Sequence, residues 1–276
     1  MDVARVALDK LDARLRILLP EQYQESYETV QPTSMGSAGL KFGSDGKVAW
    51  DEIWQTFCDL AMAGGPPHKG ALLEPGAASD IAAGQEKYDA VADEMCRGIW
   101  MAADLPAQTD ARPGWVRVQC HSATMADWLT RAIVMENVAA RSSGVMLYLP
   151  AAPHFRVEKE IKNVITVIAK TAHYWMGHMS RSQKTLIADL FTTMSIESSL
   201  IEPPIDGWAT WRGVECANVG AAVWMMRALA AFNILARREQ VTLFVPINRE
   251  QDPDGAIVAG AIARVQQLAL LRGVLA

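Results

Sequence analysis

The sequence predicts an α/β protein with a mostly helical N-terminal lobe, followed by a core that contains one β-α-β-α unit twice. Three observations predict it. The first hundred residues carry apolar side chains at helical spacing, the texture changes to short β-branched runs from residue 115, and residues 115–150 align with residues 211–246 without a gap. We therefore expect a lobe over 1–110 and a duplicated core over 111–276, in a chain long enough to bury a sizeable core.

Helices and loops alternate in the N-terminal lobe. A leucine stripe at helical spacing predicts a first helix that ends at Pro20, and its members are Leu8, Leu11, Leu15 and Leu18. A second helix is predicted over 49–61 and a third over 80–103, with Ser79 as the N-cap of the third. The Gly- and Pro-rich segment 64–70 between them predicts a loop.

The core begins with a strand at 115–120, where β-branched residues follow a Pro-Gly boundary. Ser122 or Thr124 can cap the next helix, which is predicted to reach about Arg141. A Ser-Ser-Gly stretch ends that helix, and residues 145–150 form a second strand. The first copy therefore predicts strand, helix, strand.

Two rare residue types set the register of the repeat. Cys120 and Trp128 match Cys216 and Trp224 at an offset of 96 positions, and about a third of the aligned window is identical. Another predicted helix follows each copy, over 257–271 in the second. Because Cys and Trp both match with no insertion between them, duplication explains the pattern better than chance composition.

Two architectures accommodate such a repeat, because a crossover helix between two strands of one sheet makes those strands parallel. One is a pseudo-two-fold ferredoxin-like sandwich, and the other is an open parallel sheet. In the open sheet both cysteines would lie at the carboxyl edge of the strands, where α/β proteins bind ligands. The sandwich is slightly favoured, because a repeat of only two strands suits it.

Cys120 and His121 are the candidate catalytic pair. Cys120 ends a strand just before a helix, where the helix dipole lowers the pKa of a thiol, and His121 could act as its base. The alternative is a packing cysteine, since Cys is among the most buried residue types. The second copy has Ala217 and Asn218 after its cysteine, so we expect one working site at most, with Asn218 as a ligand-binding candidate.

Arg131 and Arg227 are the candidate anion-binding residues. They occupy matching positions on a helix face otherwise suited to packing, so each arginine needs a partner. That partner is either a carboxylate or phosphate of a ligand, or a structural acid such as Asp127 or Glu136.

His68 and Lys69 lie in the GGPPHKG loop, which combines backbone access with a base and a cation. We include His68 among the catalytic candidates and Lys69 among the ligand-binding ones. The alternative is a plain turn, because the loop matches neither the P-loop motif nor G-x-G-x-x-G.

No metal site is predicted. His173 and His178 are five residues apart, which on an α-helix turns them about 140° from each other, unlike the i, i+4 pair of zinc-binding helices. Gly177 could break the helix and bring the two rings together. No motif identifies a cofactor or a family.

Composition excludes some partners. A formal charge of −5 and a pI near 5.6 argue against nucleic acid, which requires a concentrated basic face. The apolar stretch 219–236 is interrupted by Arg227 and Asn233, so it predicts a buried helix and no membrane partner. Four scattered cysteines without a C-x-x-C pair indicate a reduced, cytoplasmic environment.

The leading hypothesis is a cytoplasmic enzyme or cofactor-handling protein that acts on an anionic small molecule at the junction of the duplicated core and the helical lobe. Whether the protein is catalytic stays open. The alternative is a non-catalytic assembly or scaffold protein that grips a protein partner with exposed Met and Trp, of which the chain has 13 and 9. A homo-oligomer is compatible with both.

Overall fold

The computed structural model describes residues 3–19, 39–55, 72–205 and 211–275. The α-helices are α1 Val3–Leu18, α2 Ala78–Ala83, α3 Gln85–Ala103, α4 Ala123–Val134, α5 Lys162–His173, α6 Arg181–Glu197, α7 Val219–Ala231 and α8 Ala256–Arg272. The strands are β1 Ala107–Thr109, β2 Trp115–Gln119, β3 Arg141–Ser143, β4 Met146–Pro150, β5 Trp211–Glu215, β6 Arg237–Glu239 and β7 Thr242–Pro246. A 3₁₀ helix spans Trp50–Gln55, and two π-helical turns, Val157–Ile161 and Tyr174–His178, flank α5.

The described residues fall into two compact units. One, which we call the β2 unit, contains residues 39–55 and 72–178, and the other, the β5 unit, contains residues 3–19, 179–205 and 211–275. Each unit has its own small antiparallel sheet. The predicted division into 1–110 and 111–276 groups the residues differently and stays a prediction about domains.

The sheet of the β2 unit has four strands in the order β1-β2-β4-β3. Every neighbouring pair is antiparallel, and Trp115 lies opposite Pro150 in the central pair. Ser122 caps α4 by accepting a hydrogen bond from Met125 N at 3.1 Å. The core is continuous and apolar, and its largest fully buried side chains include Trp50, Trp128 and Tyr174.

The sheet of the β5 unit has three strands in the order β5-β7-β6, again all antiparallel. The helix α7 lies against β6 and β7, and α1 and α8 pack on α7. As the leucine stripe predicts, α1 buries Leu8, Leu11 and Leu18. The apolar stretch from residue 219 forms the buried helix α7.

Elements of the two units correspond at an offset of 96 residues. Strand β2 starts at Trp115 and β5 at Trp211, and the register Trp115↔Pro150 has Trp211↔Pro246 as its equivalent. The two-residue loops before β4 and β7 each contain a residue with positive φ, Gly144 and Gln240. The corresponding stretches, β2-α4-β3-β4 and β5-α7-β6-β7, therefore share the order strand, helix, short strand, strand.

The open parallel sheet expected from the sequence is wrong, because every neighbouring pair of described strands is antiparallel, and the ferredoxin-like sandwich is not confirmed. The helix α4 does connect parallel strands, β2 and β3, but the chain then turns back through a two-residue loop and places β4 between them, antiparallel to both. Strand β3 was not predicted because only three residues form it, and the predicted helix extended to Arg141 although α4 ends at Val134. The α/β class itself holds, with small antiparallel sheets in place of a parallel one.

Candidate functional site

The outer edge of β2 is covered by β1. Gln119 N donates to Pro106 O at 2.8 Å, Asp110 N donates to Trp115 O at 3.0 Å, and Gln108 lies opposite Arg117 between these bonds. On the outer edge of β2, the amide of Gln119 and the carbonyl of Trp115 therefore have partners in the β2 unit, and Arg117 pairs with Gln108. The helix α3 leads into β1 and packs on both strands.

The outer edge of β5 has no such cover among the described residues. Cys216 N donates to Val241 O at 2.9 Å, and hydrogen-bonded pairs alternate along an antiparallel ladder, so Arg212 and Val214 direct their backbone groups toward β7. The amides and carbonyls of Gly213 and Glu215 consequently face outward. Within the described ranges, no strand pairs with that edge.

The described residues that precede β5 do not correspond to β1. Ile201 forms a parallel bridge with Ile234, with Ile201 N donating to Asn233 O and Leu235 N donating to Ile201 O, as Leu73 does with Val138 in the β2 unit. Residues 201–204 are therefore the counterpart of residues 73–76, and the described part of the β5 unit contains no counterpart of β1.

A cleft of about 540 Å³ lies beside the open edge, between β5, the end of β7 and α8. The equivalents of Arg212 and Val214 in the β2 unit are Val116 and Val118, which are fully buried. Here Arg212 is exposed and Val214 is half-buried. Further lining residues are apolar or lie at the start of α8: Val245, Pro246, Asp252, Val258, Ile262 and Ala263.

Acidic residues of the cleft are engaged in capping α8. The two carboxylate oxygens of Asp252 accept hydrogen bonds from Ile257 N and Val258 N, each at 3.0 Å, and Asp254 accepts one from Ala256 N at 3.1 Å. Such carboxylates satisfy the first amides of a helix and oppose its dipole. Arg212 and Arg249 also line the cleft and are exposed, so they present positive charge to a bound segment.

A second cleft of about 480 Å³ in the β5 unit is lined by residues of α1, α7 and α8. Arg14 donates to both carboxylate oxygens of Glu197, at 2.6 and 2.5 Å. This hydrogen bond, with the nearby charges of Arg14, Lys10 and Arg264, lowers the pKa of Glu197. The guanidinium of Arg264 lies 5.0 Å from the centre of the Phe232 ring. The cleft therefore carries three cations, one carboxylate and an aromatic face.

Cys120 is buried at the end of β2, and burial, with a smaller contribution from Asp127, raises the pKa of its thiol to about 12. Any effect of the helix dipole is outweighed, because desolvation disfavours the thiolate. His121 is exposed. Burial therefore weighs against Cys120 as a nucleophile, and the catalytic role of the pair remains a prediction.

The remaining predicted site residues lie in different units of the described chain or outside it. Arg131 belongs to the β2 unit, is buried, and donates to Asp127 O at 3.0 Å. Arg227 belongs to the β5 unit and is buried in α7, where Asn218 caps the helix by accepting from Ala221 N at 2.9 Å. His68 and Lys69 lie outside the described residues. The ligand-binding and catalytic roles predicted for all of these residues stay predictions.

The open edge of β5 was not predicted from the sequence. The strand that covers β2, β1, has only three residues, and the sequence pattern does not reveal a strand of that length. A difference at the offset of 96 does point to the site, because the exposed Arg212 occupies the position of the buried Val116.

Neither a family model, a curated protein sequence nor a solved structure matches this chain. Among the helices that the structure describes, none is long and apolar enough to cross a bilayer.

Proposed function

We propose that this protein is a binding protein that takes up an extended segment of a partner protein as an added strand on β5. The observation that carries the proposal is the open β5 edge, whose equivalent in the β2 unit is covered by a strand of the same chain. Strand addition supplies main-chain hydrogen bonds for affinity, and pockets beside the edge select alternate side chains. The adjoining cleft provides such pockets.

The chemistry of the cleft specifies the segment. A residue of the added strand opposite Arg212 would direct its side chain to the cleft face, where a carboxylate would meet the guanidinium of Arg212 and, beside it, that of Arg249. Two residues along, the position opposite Val214 favours an apolar side chain near Ile262. Opposite charges and apolar pairs across strands each stabilise pairing by roughly 0.2–1 kcal/mol. We therefore expect an extended segment with an acidic residue two positions from an apolar one.

We infer that the two strand–helix–strand–strand stretches arose by duplication. The alignment without gaps, the matched strand registers and the paired Asn residues with positive φ, Asn137 and Asn233, support this inference. Among the described residues, only the first copy has a covering strand, β1.

The chain supplies its own test peptide. The segment 104–110, DLPAQTD, contains β1, and its equivalent position on β5 sets Gln108 opposite Gly213 and Thr109 opposite Arg212. Titration of the full-length ¹⁵N-labelled protein with this peptide should shift the amide signals of Gly213 and Glu215. The Thr109→Glu peptide should bind more tightly, because its carboxylate faces Arg212. A peptide N-methylated at Gln108 should not bind, since it lacks the donor toward the edge.

A matched pair of protein variants separates strand addition from other binding. Glu215→Pro removes an outward amide that the added strand needs, and proline is tolerated at such edge positions. Glu215→Ala keeps the amide. We expect Glu215→Pro to abolish peptide binding while Glu215→Ala retains it, with both variants folded by circular dichroism.

Other occupants of the edge give distinct results. If β5 pairs with β5 of a second copy, light scattering will show a dimer that Glu215→Pro dissociates, and the partner-peptide proposal is overturned. If the DLPAQTD peptide and its Thr109→Glu form leave the signals of Gly213 and Glu215 unchanged at millimolar concentration, the proposal is also wrong.

A second candidate function concerns the cleft of Lys10, Arg14 and Arg264. Its excess of cations beside Phe232 favours an anionic small molecule, preferably an aromatic carboxylate. Residues of α1 line it together with residues of α8, a helix of the predicted core. Benzoate and citrate are suitable probes in a thermal-shift assay. Stabilisation by benzoate that Arg264→Gln removes would support this function, whereas no shift with either probe would contradict it.

A further inference from the structure

The π-helical turn after α5 brings two histidines together. His173 Nε2 and His178 Nε2 lie 3.0 Å apart, although an α-helix would turn these side chains about 140° from each other. A π turn closes its hydrogen bond between residues five apart, so side chains at that spacing come to nearly one face. Gly177 lies within the same turn. Single π turns inside helices are rare and are frequent at functional sites.

We propose that His173 and His178 bind one divalent transition-metal ion of the copper and nickel class. The two Nε2 atoms lie 3.0 Å apart. If each bonds the same metal ion at about 2.0–2.1 Å, the length of a zinc–nitrogen bond, the N–metal–N angle is about 90–97°. That angle matches neighbouring positions of a square-planar or tetragonal site, which Cu²⁺ and Ni²⁺ prefer. Tetrahedral zinc would require nitrogens about 3.3–3.4 Å apart.

The surroundings suit an ion that is open to solvent. Both histidines are exposed, whereas Tyr174 between them is fully buried and its ring lies 5.2 Å from that of His178. The buried tyrosine anchors the turn, and the two rings project from it with an interplanar angle of 69°. No third His, Cys, Asp or Glu completes a cluster among the described residues, so water or a ligand would take the other positions.

Coordination by both rings requires a lone pair on each Nε2. The ring that carries its proton on Nε2 therefore transfers it to Nδ1 through solvent. Because protons compete with the metal ion for the same nitrogens, binding should weaken as the pH falls.

The test uses the full-length protein without a histidine tag. Isothermal titration with CuCl₂ at pH 7 should show one site per chain, and electron paramagnetic resonance should show two coordinated nitrogens. His173→Gln and His178→Gln should each weaken binding about 100-fold, because the second ligand no longer acts intramolecularly. His121→Ala and His154→Ala are matched controls in the same unit, and each should retain the site.

Two results would overturn the proposal. One is the absence of stoichiometric Cu²⁺ binding, in which case the short distance reflects only a hydrogen bond between the imidazoles. The other is Cu²⁺ binding that both His173→Gln and His178→Gln retain. Thermal melts of the metal-free variants test whether each is folded. Neither outcome bears on the binding of the peptide to β5, which is tested separately.

Discussion

At the scale of single residues, the differences between the β2 unit and the β5 unit are more informative than the matches. Glu136, which follows α4, forms a buried ion pair with Lys170 of α5, with 1% and 6% of the side chains exposed. At the offset of 96 the β5 unit has Phe232 and Gln266 instead. In the β2 unit these two positions thus form an ion pair. In the β5 unit, Phe232 and Gln266 each line one of the two clefts.

Loss of one partner of this buried pair should be costly. Lys170→Met removes the cation that faces Glu136 in this buried pair, so we expect the free energy of unfolding to fall by about 3–5 kcal/mol. Urea denaturation measures the change. Arg5→Met, in the exposed Arg5–Asp9 pair of α1, should change it by less than about 1 kcal/mol. If the two variants lose similar stability, the Glu136–Lys170 pair is not structurally important.

The thiol of Cys120 should be unreactive in the folded protein. Its pKa of about 12 leaves almost no thiolate at pH 8, and burial also blocks the reagent. Iodoacetamide labelling followed by peptide mass spectrometry should modify Cys96, which is half-buried with a pKa of about 11, before Cys120. In urea both should react equally. Faster labelling of Cys120 than of Cys96 would instead favour the catalytic hypothesis.

Raised pKa values also predict a pH dependence. An unfolded cysteine ionises near about pH 8.5, whereas Cys120 in the folded protein keeps its proton until about pH 12. The contribution of Cys120 to stability is therefore complete below about pH 8.5 and decreases as the pH rises toward 12. A Cys120→Ala variant should lose less stability than the natural protein between pH 8 and pH 10.

At the scale of elements, asparagines at the end of α4 and α7 hold the connection to the next strand. Asn233 adopts positive φ and donates to Met194 O at 2.9 Å and Ser198 O at 2.8 Å, at the C-terminus of α6. Met194 O also accepts a hydrogen bond from Ser198 N at 2.9 Å, whereas Ser198 lies just beyond the last helical residue, Glu197. The side chain therefore ties α6 to the turn that leads into β6.

Replacement of Asn233 tests this role. Asn233→Ala loses both hydrogen bonds and keeps a strained left-handed residue, so it should cost about 2–4 kcal/mol of unfolding free energy. Asn233→Gly loses only the hydrogen bonds and should be about 1 kcal/mol less harmful. At Gln240, also at positive φ, a change to Gly should stabilise the protein by up to about 1 kcal/mol. Equal effects of Ala and Gly at Asn233 would contradict the account.

At the scale of the whole molecule, periodicity predicted the helices better than the sheets. The leucine stripe of α1, the buried face of α3 and the apolar α7 follow from spacing, because each helix is long enough for a pattern to repeat. The strands β1, β3 and β6 have three residues each and show no alternation. Without them, neither the antiparallel pairing nor the covered edge of β2 could be predicted.

The candidate site illustrates the same limit. The cysteine and arginine residues chosen from the sequence are matched in both copies, and the described ones among them are buried. The open edge depends on backbone groups of β5, which no residue type signals directly.

Residue-resolved amide hydrogen exchange of β5 tests whether the outer edge of this strand is uncovered and can take up a partner strand. In the free protein, Gly213 and Glu215 should exchange much faster than Cys216, whose amide bonds to Val241 O, and than Gln119 on the covered edge of β2. Saturation with the Thr109→Glu peptide should slow Gly213 and Glu215 selectively. If Gly213 and Glu215 are as protected as Cys216 in the free protein, the edge is already covered and the proposed binding function is wrong.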